Sequence, residues 1–410
     1  MIRRAIVRLQ GLSLILAAAF TVECAGGGGS TEPKGALPVT VEADAGAPLE
    51  APHTLTATFS DTTNSAPWSY DVDWGDGARS NGSLNSVAVI HATHEYQAEG
   101  SRRVTVTVTN QRGAAGSASA TIATTDPVLL VAGDVADCTR LGDDSTAMLL
   151  DTLQGIVVPL GDDAYDNGSP DEYNRCYAPT WGRQKARTRP VAGNHDYNCG
   201  LWNTTLPGCT SPAAGYFGYF GAAAGDPSTG YYSYILGSWF VIVLNTGTDK
   251  PVNYEAGSPQ EQWLRSELAS HSQDCVLAMW HHPRFSTVQA RDSITYFTAA
   301  IWNALYEYGA DLVLNGHDHA YQRFAPQRPD GTRDDAHGIR QISVGTGGGE
   351  TLYTLDATLP AGSNAEVRDW HTHGILKLTL RAGGYDWKFV PSSGATFTDS
   401  GSGSCHGRPS

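Results

Sequence analysis

Five apolar runs in the second half of this chain end on residues that ligate metals, and this recurrence constrains the fold more than any other feature. "PVLLVAGD" ends in Asp134, "GIVVPLGD" in Asp162, and "RPVAGNHD" in Asn194, His195 and Asp196. "CVLAMWHHP" ends in His281 and His282, and "ADLVLNGHDH" in His317 and His319. The runs alternate with helical stretches, which predicts an α/β fold from Asp126 onward. One helix is "SPQEQWLRSELASH" (258–271), with Ser258 as cap, Pro259 in the first turn and Glu261 completing a capping box. A second is expected over 293–309, stopped by Gly309. Residues 230–247 read as a hairpin and a strand, with Tyr232 near the site. In open α/β sheets, ligands gather outside the carboxyl ends of the strands.

Delivered to one rim, these residues suit two adjacent metal ions. Carboxylates are hard anionic donors, and one can bridge two ions. Imidazole suits Zn, Fe and Mn, and an Asn carbonyl is a neutral oxygen donor. A lone Gly-Asp after a strand is ordinarily a turn, and a lone His pair is ordinarily structural. The ordered set of five is what points to a metal centre.

The motifs "GDVADC", "GDDAY", "GNHD", "HHP" and "GHDHAYQR" resemble those of calcineurin-like metallophosphoesterases, in the purple acid phosphatase-like branch. The resemblance covers roughly residues 127–390. It implies a four-layer α/β/β/α sandwich with metals on one edge. By position, it implies that Asp134, Asp162, Tyr165 and His319 hold one metal and Asp162, Asn194, His281 and His317 the other, with Asp162 bridging. His281 rather than His282 is chosen because the family ligand precedes the proline by two residues, and Pro283 follows His282. His282 and Arg284 are then candidate substrate contacts, although Arg284 equally reads as a surface ion-pair residue. Departures exist: Ala278 stands where the branch usually has Val, and "RFST" lacks the His pair of plant members. "GDDAYDNG" also lacks the Arg of protein serine/threonine phosphatases, which argues against phosphoproteins as substrates.

The implied chemistry is attack of a metal-bound hydroxide on phosphorus. His195, beside the ligand Asn194, is the candidate proton donor to the leaving oxygen. Asp196 either bonds His195 or caps the following turn. Asp163 and Asp166 read as solvated loop acids, and His371 and His373 as structural. Tyr165 is either a ligand or a ring packed under the loop. As a phenolate it suits Fe(III), with divalent Zn, Fe or Mn at the other position. The expected activity is phosphomonoester hydrolysis. Phosphodiesterase or nucleotidase activity on the same scaffold is the alternative, and an inert surface binding protein is the reading from a different class.

The rest of the chain bears on location. Arg3, Arg4 and Arg8 precede the apolar stretch 11–22, which reads as a signal peptide (1–23) too short to span a bilayer comfortably. A Gly/Ser-rich linker follows (24–37). The junction resembles a bacterial lipoprotein signal with Cys24 lipidated, giving a lipid anchor, although Glu23 stands where a small residue is expected. An ordinary cleaved signal is the alternative. The other six cysteines suggest disulfides in an exported, extracellular, periplasmic or anchored chain. Cys199–Cys209 is the first expected pair, from proximity. Cys138–Cys176 and Cys275–Cys405 are the working assignment for the rest. Residues 38–125 alternate as strands, and "DWGDG" with "HEYQAEGSRRVTVTVTN" resembles a polycystic-kidney-disease (PKD) immunoglobulin-like module. Such modules act as spacers or contact glycans and proteins. Asp73 and Asp76 there read as turn acids rather than a calcium site. The α/β domain is expected over 126–400 and a C-terminal tail over 401–410. Net charge is −15 without a basic run, which argues against nucleic acid as a partner; an acidic surface also repels anions, so the small phosphate-ester substrate that the resemblance implies would need local positive charge such as metal ions.

Overall fold

Alternating β-formers dominate the first module of the computed structural model. It describes residues 36–43, 47–48, 53–96, 100–247, 252–288, 298–349, 352–353, 358–359 and 362–407. The expected signal peptide and Cys24 lie outside the described residues. Among the described residues, eight strands form this module: β1 (Val39–Ala43), β2 (Ala47–Pro48), β3 (His53–Phe59), β4 (Trp68–Asp73), β5 (Arg79–Leu84), β6 (Ile90–His94), β7 (Gly100–Asn110) and β8 (Ala115–Thr125). They pair as two sheets, β1-β3-β6 and β2-β8-β7-β4-β5. In β7, Val104, Val106 and Val108 are fully buried while the intervening threonines are half-exposed, as period-two patterning requires. They pack with Trp68, Trp74 and Ile122 in the core of the sandwich. The turn acids are engaged locally: Asp73 Oδ2 pairs with Arg79 at 2.7 Å and Asp76 Oδ2 with His94 at 2.7 Å.

The second module contains β9 (Val128–Ala132), α1 (Gly142–Thr152), β10 (Ile156–Pro159), α2 (Pro170–Glu172), α3 (Asn194–Tyr197) and α4 (Ala214–Phe220). Then come β11 (Tyr232–Leu236), β12 (Trp239–Val243), α5 (Pro259–Ser270), β13 (Cys275–Met279), α6 (Ala299–Glu307) and β14 (Leu312–Asn315). The module ends with β15 (Tyr321–Phe324), β16 (Arg340–Val344), β17 (Ala365–Asp369), β18 (Gly374–Arg381), β19 (Gly384–Pro391) and β20 (Ser400–Ser404). One sheet has the order β10-β9-β18-β19-β20 and the other β11-β12-β13-β14-β16-β15-β17. The strands β12, β13, β14 and β16 run parallel.

Side-chain alternation assigns the layers. Trp239, Val241, Val243, Leu277 and Leu314 join the first sheet's Leu129, Val131 and Leu376 in one core. Phe240, Ile242, Val276 and Val313 point the other way, onto Leu264 and Leu268 of α5 and Trp302 and Leu305 of α6. Burying each such aliphatic side chain contributes roughly 1.5–3 kcal/mol. Strands buried on both faces read as continuous apolar runs, which is why these segments stood out.

Local details differ from the sequence expectations. Ser258 caps α5, accepting from Glu261 N at 3.2 Å, but Glu261 takes the Gly257 amide instead of closing the box. Of the expected helix 293–309, residues 298–309 are described, and α6 stops before Gly309 at φ +75°. The third apolar run is not a regular strand. It makes isolated parallel bridges, Val157 to Thr188 and Leu160 to Val191, because Pro159 and Pro190 lack the amide protons a ladder needs. The tail is also part of the fold. Residues 400–404 pair with β19, and Cys405 is bonded to Cys275. Its Gly/Ser sequence gives no strand signal because the glycines sit under rings: a Cβ on Gly401 would meet Trp387 at 2.4 Å. The expected pairs Cys138–Cys176 and Cys199–Cys209 are joined as well. Among the described residues, no helix is long and apolar enough to cross a membrane.

Candidate metal centre

Three of the acids and imidazoles at the strand ends sit in left-handed backbone: Asp134 at φ +61°, Asp162 at +54° and His317 at +68°. Each such turn costs about 1–2 kcal/mol for an L-residue and persists only where surroundings enforce it. Here they do. Asp134 N donates to Gly161 O and Val135 N to Asp162 O, both at 2.9 Å, locking the two turns together. The tight reversal after β9 and β10 aims both carboxylates into the gap between the sheets. Gly193 makes room, since a Cβ there would lie 2.2 Å from Asp162 Oδ1.

Six of the seven expected ligands form one continuous cluster. The Tyr165 hydroxyl lies 2.9 Å from Asp134 Oδ1, 3.3 Å from Asp162 Oδ2 and 3.3 Å from His319 Nε2. His319 Nε2 is 3.3 Å from Asp134 Oδ1, and His281 Nε2 is 3.2 Å from Asp162 Oδ2. His317 Nδ1 is 3.2 Å from His281 Nε2. Ligand atoms of Asp134, Asp162 and His281 all lie within 4.8 Å of one another. His281 Nδ1 is 2.7 Å from Leu160 O. A carbonyl only accepts, so Nδ1 carries the proton and Nε2 presents its lone pair.

The seventh ligand, Asn194, lies between Gly193 and His195, both of which touch Asp162. Its Oδ1 is buried with no hydrogen-bond partner. A buried neutral acceptor left open on a residue whose two neighbours touch Asp162 fits a site that takes cations. Burial opposes ionisation of Asp162, but His281 beside it holds the carboxyl well below its usual range. Burial likewise opposes a charged His281, and Asp162 raises it to about 9.

The acids around this cluster have other duties than those expected. Asp196 does not bond His195. It is fully buried and accepts from Gly193 N at 2.8 Å, Asp162 N at 3.0 Å and the Tyr173 hydroxyl at 2.7 Å. It clamps two ligand loops together, as a residue near the start of a short helix can when its carboxylate turns back on the amides before it. Asp163, expected to be solvated, is fully buried. Burial, then Asp196 and Asp162, push its carboxyl well above the usual range. His195 instead bonds a carbonyl: its Nδ1 lies 2.7 Å from Asp166 O, and its ring meets the Tyr165 ring edge-on at 4.7 Å.

The substrate-side residues are also repositioned. His282 comes close to the cluster, with its ring 4.2 Å from that of His317 and its amide and Nδ1 on Thr246 Oγ1. Ligand atoms of His281, His282 and His317 lie within 4.8 Å of one another. Arg284 donates to Pro329 O at 3.0 Å and its guanidinium lies over Phe285, so this conformer does not point it at phosphate. Tyr232 donates to Pro190 O, in the scaffold. His371 is exposed. His373 is half-buried; burial pushes its pKa down, and His319 and Arg140 act in the same sense.

Two contributors escaped the sequence reading. Tyr353 stacks flat on His319, with ring centroids 4.4 Å apart and planes at 5°. The glycine-rich loop 345–349 lies against the centre, with Gly349 N donating to Asp134 O at 2.9 Å. The run "GTGGG" was its visible signal, since only bare backbone packs so near Asp134 and Tyr165.

Two face-to-face sheets with acids, an amide and imidazoles at the strand ends define a metallophosphoesterase architecture. Residues 119–321 match the calcineurin-like phosphoesterase family and residues 36–125 the PKD domain family. The chain therefore carries a PKD-family segment followed by a segment that matches the calcineurin-like phosphoesterases. It is 27% identical over 241 residues to purple acid phosphatase 15 of Arabidopsis thaliana, covering 52% of this chain and 43% of that protein. It is 29% identical over 153 residues to purple acid phosphatase 22 of the same plant, covering 36% of this chain and 34% of that protein. With probable purple acid phosphatase 20 it shares 32% identity over 132 residues, covering 30% of this chain and 29% of that protein. The chain thus spans less than half the length of these curated relatives.

Proposed function

We propose that this chain is an exported dinuclear-metal phosphoesterase that hydrolyses phosphomonoesters. The observation that carries the reading is the convergence of Asp134, Asp162 and His281 within 4.8 Å. When bound, the two metals supply positive charge that activates a water and neutralises the phosphoryl oxygens. Asp162 would be shared between the two positions; Asp134, Tyr165 and His319 would hold one ion, and Asn194, His281 and His317 the other. His195 donates a proton from Nε2 to the departing ester oxygen. His282, beside His317, orients the phosphoryl group. Retention of every donor argues against an inert binding protein. The similarity to purple acid phosphatases favours a ferric ion next to Tyr165 and a divalent Zn, Fe or Mn beside it. Three disulfides support residence outside the reducing cytosol, where the PKD module contacts a glycan or protein partner.

The test is metal content by elemental analysis with turnover of monoester and diester substrates over a pH series. Two metals per chain and preference for monoesters are expected. Preference for diesters or nucleotides would move the assignment to the alternative on the same scaffold. Absence of both metal and turnover would overturn it.

A further inference from the structure

The orientation of His195 is set by atoms that the donor motifs do not contain. Its Nδ1 lies 2.7 Å from the Asp166 carbonyl oxygen. A carbonyl only accepts, so Nδ1 carries a proton and Nε2 is the nitrogen left to face substrate. Asn198 Nδ2 donates to the same carbonyl at 2.9 Å. That carbonyl belongs to a short loop held by one carboxylate. Glu172 accepts from Asp166 N at 2.9 Å, Asn167 N at 3.3 Å and Asn167 Nδ2 at 3.2 Å, and from Ser169 N at 2.8 Å and Ser169 Oγ at 2.7 Å. Ser169 Oγ accepts from Glu172 N at 3.3 Å, closing a capping box over "SPDE". Five donors on one half-buried carboxylate leave the loop little freedom. The loop directly follows Tyr165, whose ring meets His195.

We propose that Glu172 and Asn198 are positioning residues for proton donation by His195: Glu172 fixes the 166–169 loop, and Asn198 fixes the Asp166 carbonyl that orients the imidazole. The inference rests on the phosphoesterase reading above. In the reaction, water oxygen bonds to phosphorus as the ester P–O bond breaks. The attacking water gives up a proton to solvent; the bonding pair leaves with the ester oxygen, which takes its proton from Nε2 of the doubly protonated His195 ring, whose Nδ1–H stays on the Asp166 carbonyl. An alkyl leaving group needs that proton; 4-nitrophenolate, a stabilised anion, does not. A misaligned donor therefore selectively slows poor leaving groups, whereas damage to the metal centre slows both.

The experiment compares kcat/KM for an alkyl phosphate and for 4-nitrophenyl phosphate in the metal-loaded full chain. The variants are Asn198→Ala, Asn198→Asp and Glu172→Gln, with His195→Ala as reference. Asn198→Asp keeps the shape but has no N–H to donate, so it should behave like Asn198→Ala. Each Asn198 variant should lose about 10-fold or more on the alkyl ester and under about 3-fold on the nitrophenyl ester, with two metals retained; a positioned general acid typically supplies ~100-fold or more. Glu172→Gln should show the same selectivity. Equal loss on both esters, or wild-type behaviour of both Asn198 variants, overturns the proposal while His195→Ala still discriminates. If His195→Ala itself does not discriminate between the esters, the proton-donor reading falls, and this inference with it.

Discussion

The Tyr165 hydroxyl lies 2.9 Å from Asp134 Oδ1, and the tyrosine is 2% exposed. A ring serving only as packing needs no hydroxyl at this spot, and Asp134 and His319 are the donors it would share an ion with. With ferric iron bound, the protein is expected to absorb visible light through the phenolate. Tyr165→Phe should remove that band while the ring still packs on His195. An unchanged spectrum in the Phe variant would make Tyr165 a packing residue.

Asp162 is the ligand proposed to be shared, so its loss should affect both positions. Asp162→Asn is expected to lower metal content and to reduce turnover by more than about 100-fold, beyond the effect typical of outer-shell changes. Asn194→Ala removes one neutral donor and should release one ion more readily than the other. Metals per chain after dialysis check both.

Asp196 acts as a clamp, and its replacement should read out as stability. Asp196→Asn turns one of the two acceptor oxygens into a donor, which then faces either the amides of Gly193 and Asp162 or the amide of Asp163. The expected cost is about 2–4 kcal/mol, from buried amides left without a partner. A thermal melt should show a lower Tm in the metal-free protein. An unchanged Tm would return Asp196 to a role in the reaction.

Asp143 gives a pH-dependent prediction away from the metal ligands. Burial raises its carboxyl from 3.8 to about 6, with Asp144 adding to the shift and Thr180 opposing it. The folded acid holds its proton more tightly than the unfolded one. This contribution is therefore intact below pH 3.8, falls as pH rises toward 6, and is absent at pH 7. Asp143→Asn should stabilise the fold at pH 7 by on the order of 1 kcal/mol, allowing for partial hydration. The gain should shrink at pH 4. Melts at the two pH values check the sign.

What the sequence determined by itself was the chemistry at the strand ends. Asp134, Asp162, His281, His317 and His319 follow apolar runs, and buried parallel strands produce such runs whatever their neighbours. The module boundary near residue 126 was legible for the same reason, as a change from period-two alternation to continuous apolar runs and helices. The cysteines carried their own signal in number. Tertiary structure decided the partners that have no residue type. The carbonyl of Leu160 orients His281 and that of Asp166 orients His195, and a carbonyl is present at every position of any chain. It also decided which acids face inward. Asp162, Asp163 and Asp166 are alike in sequence, but a left-handed turn at Asp162 sends one toward Tyr165 and His281, its neighbour into the interior, and leaves Asp166 exposed. Side-chain identity sets what a residue can bind; backbone direction, set by packing far along the chain, sets what it meets.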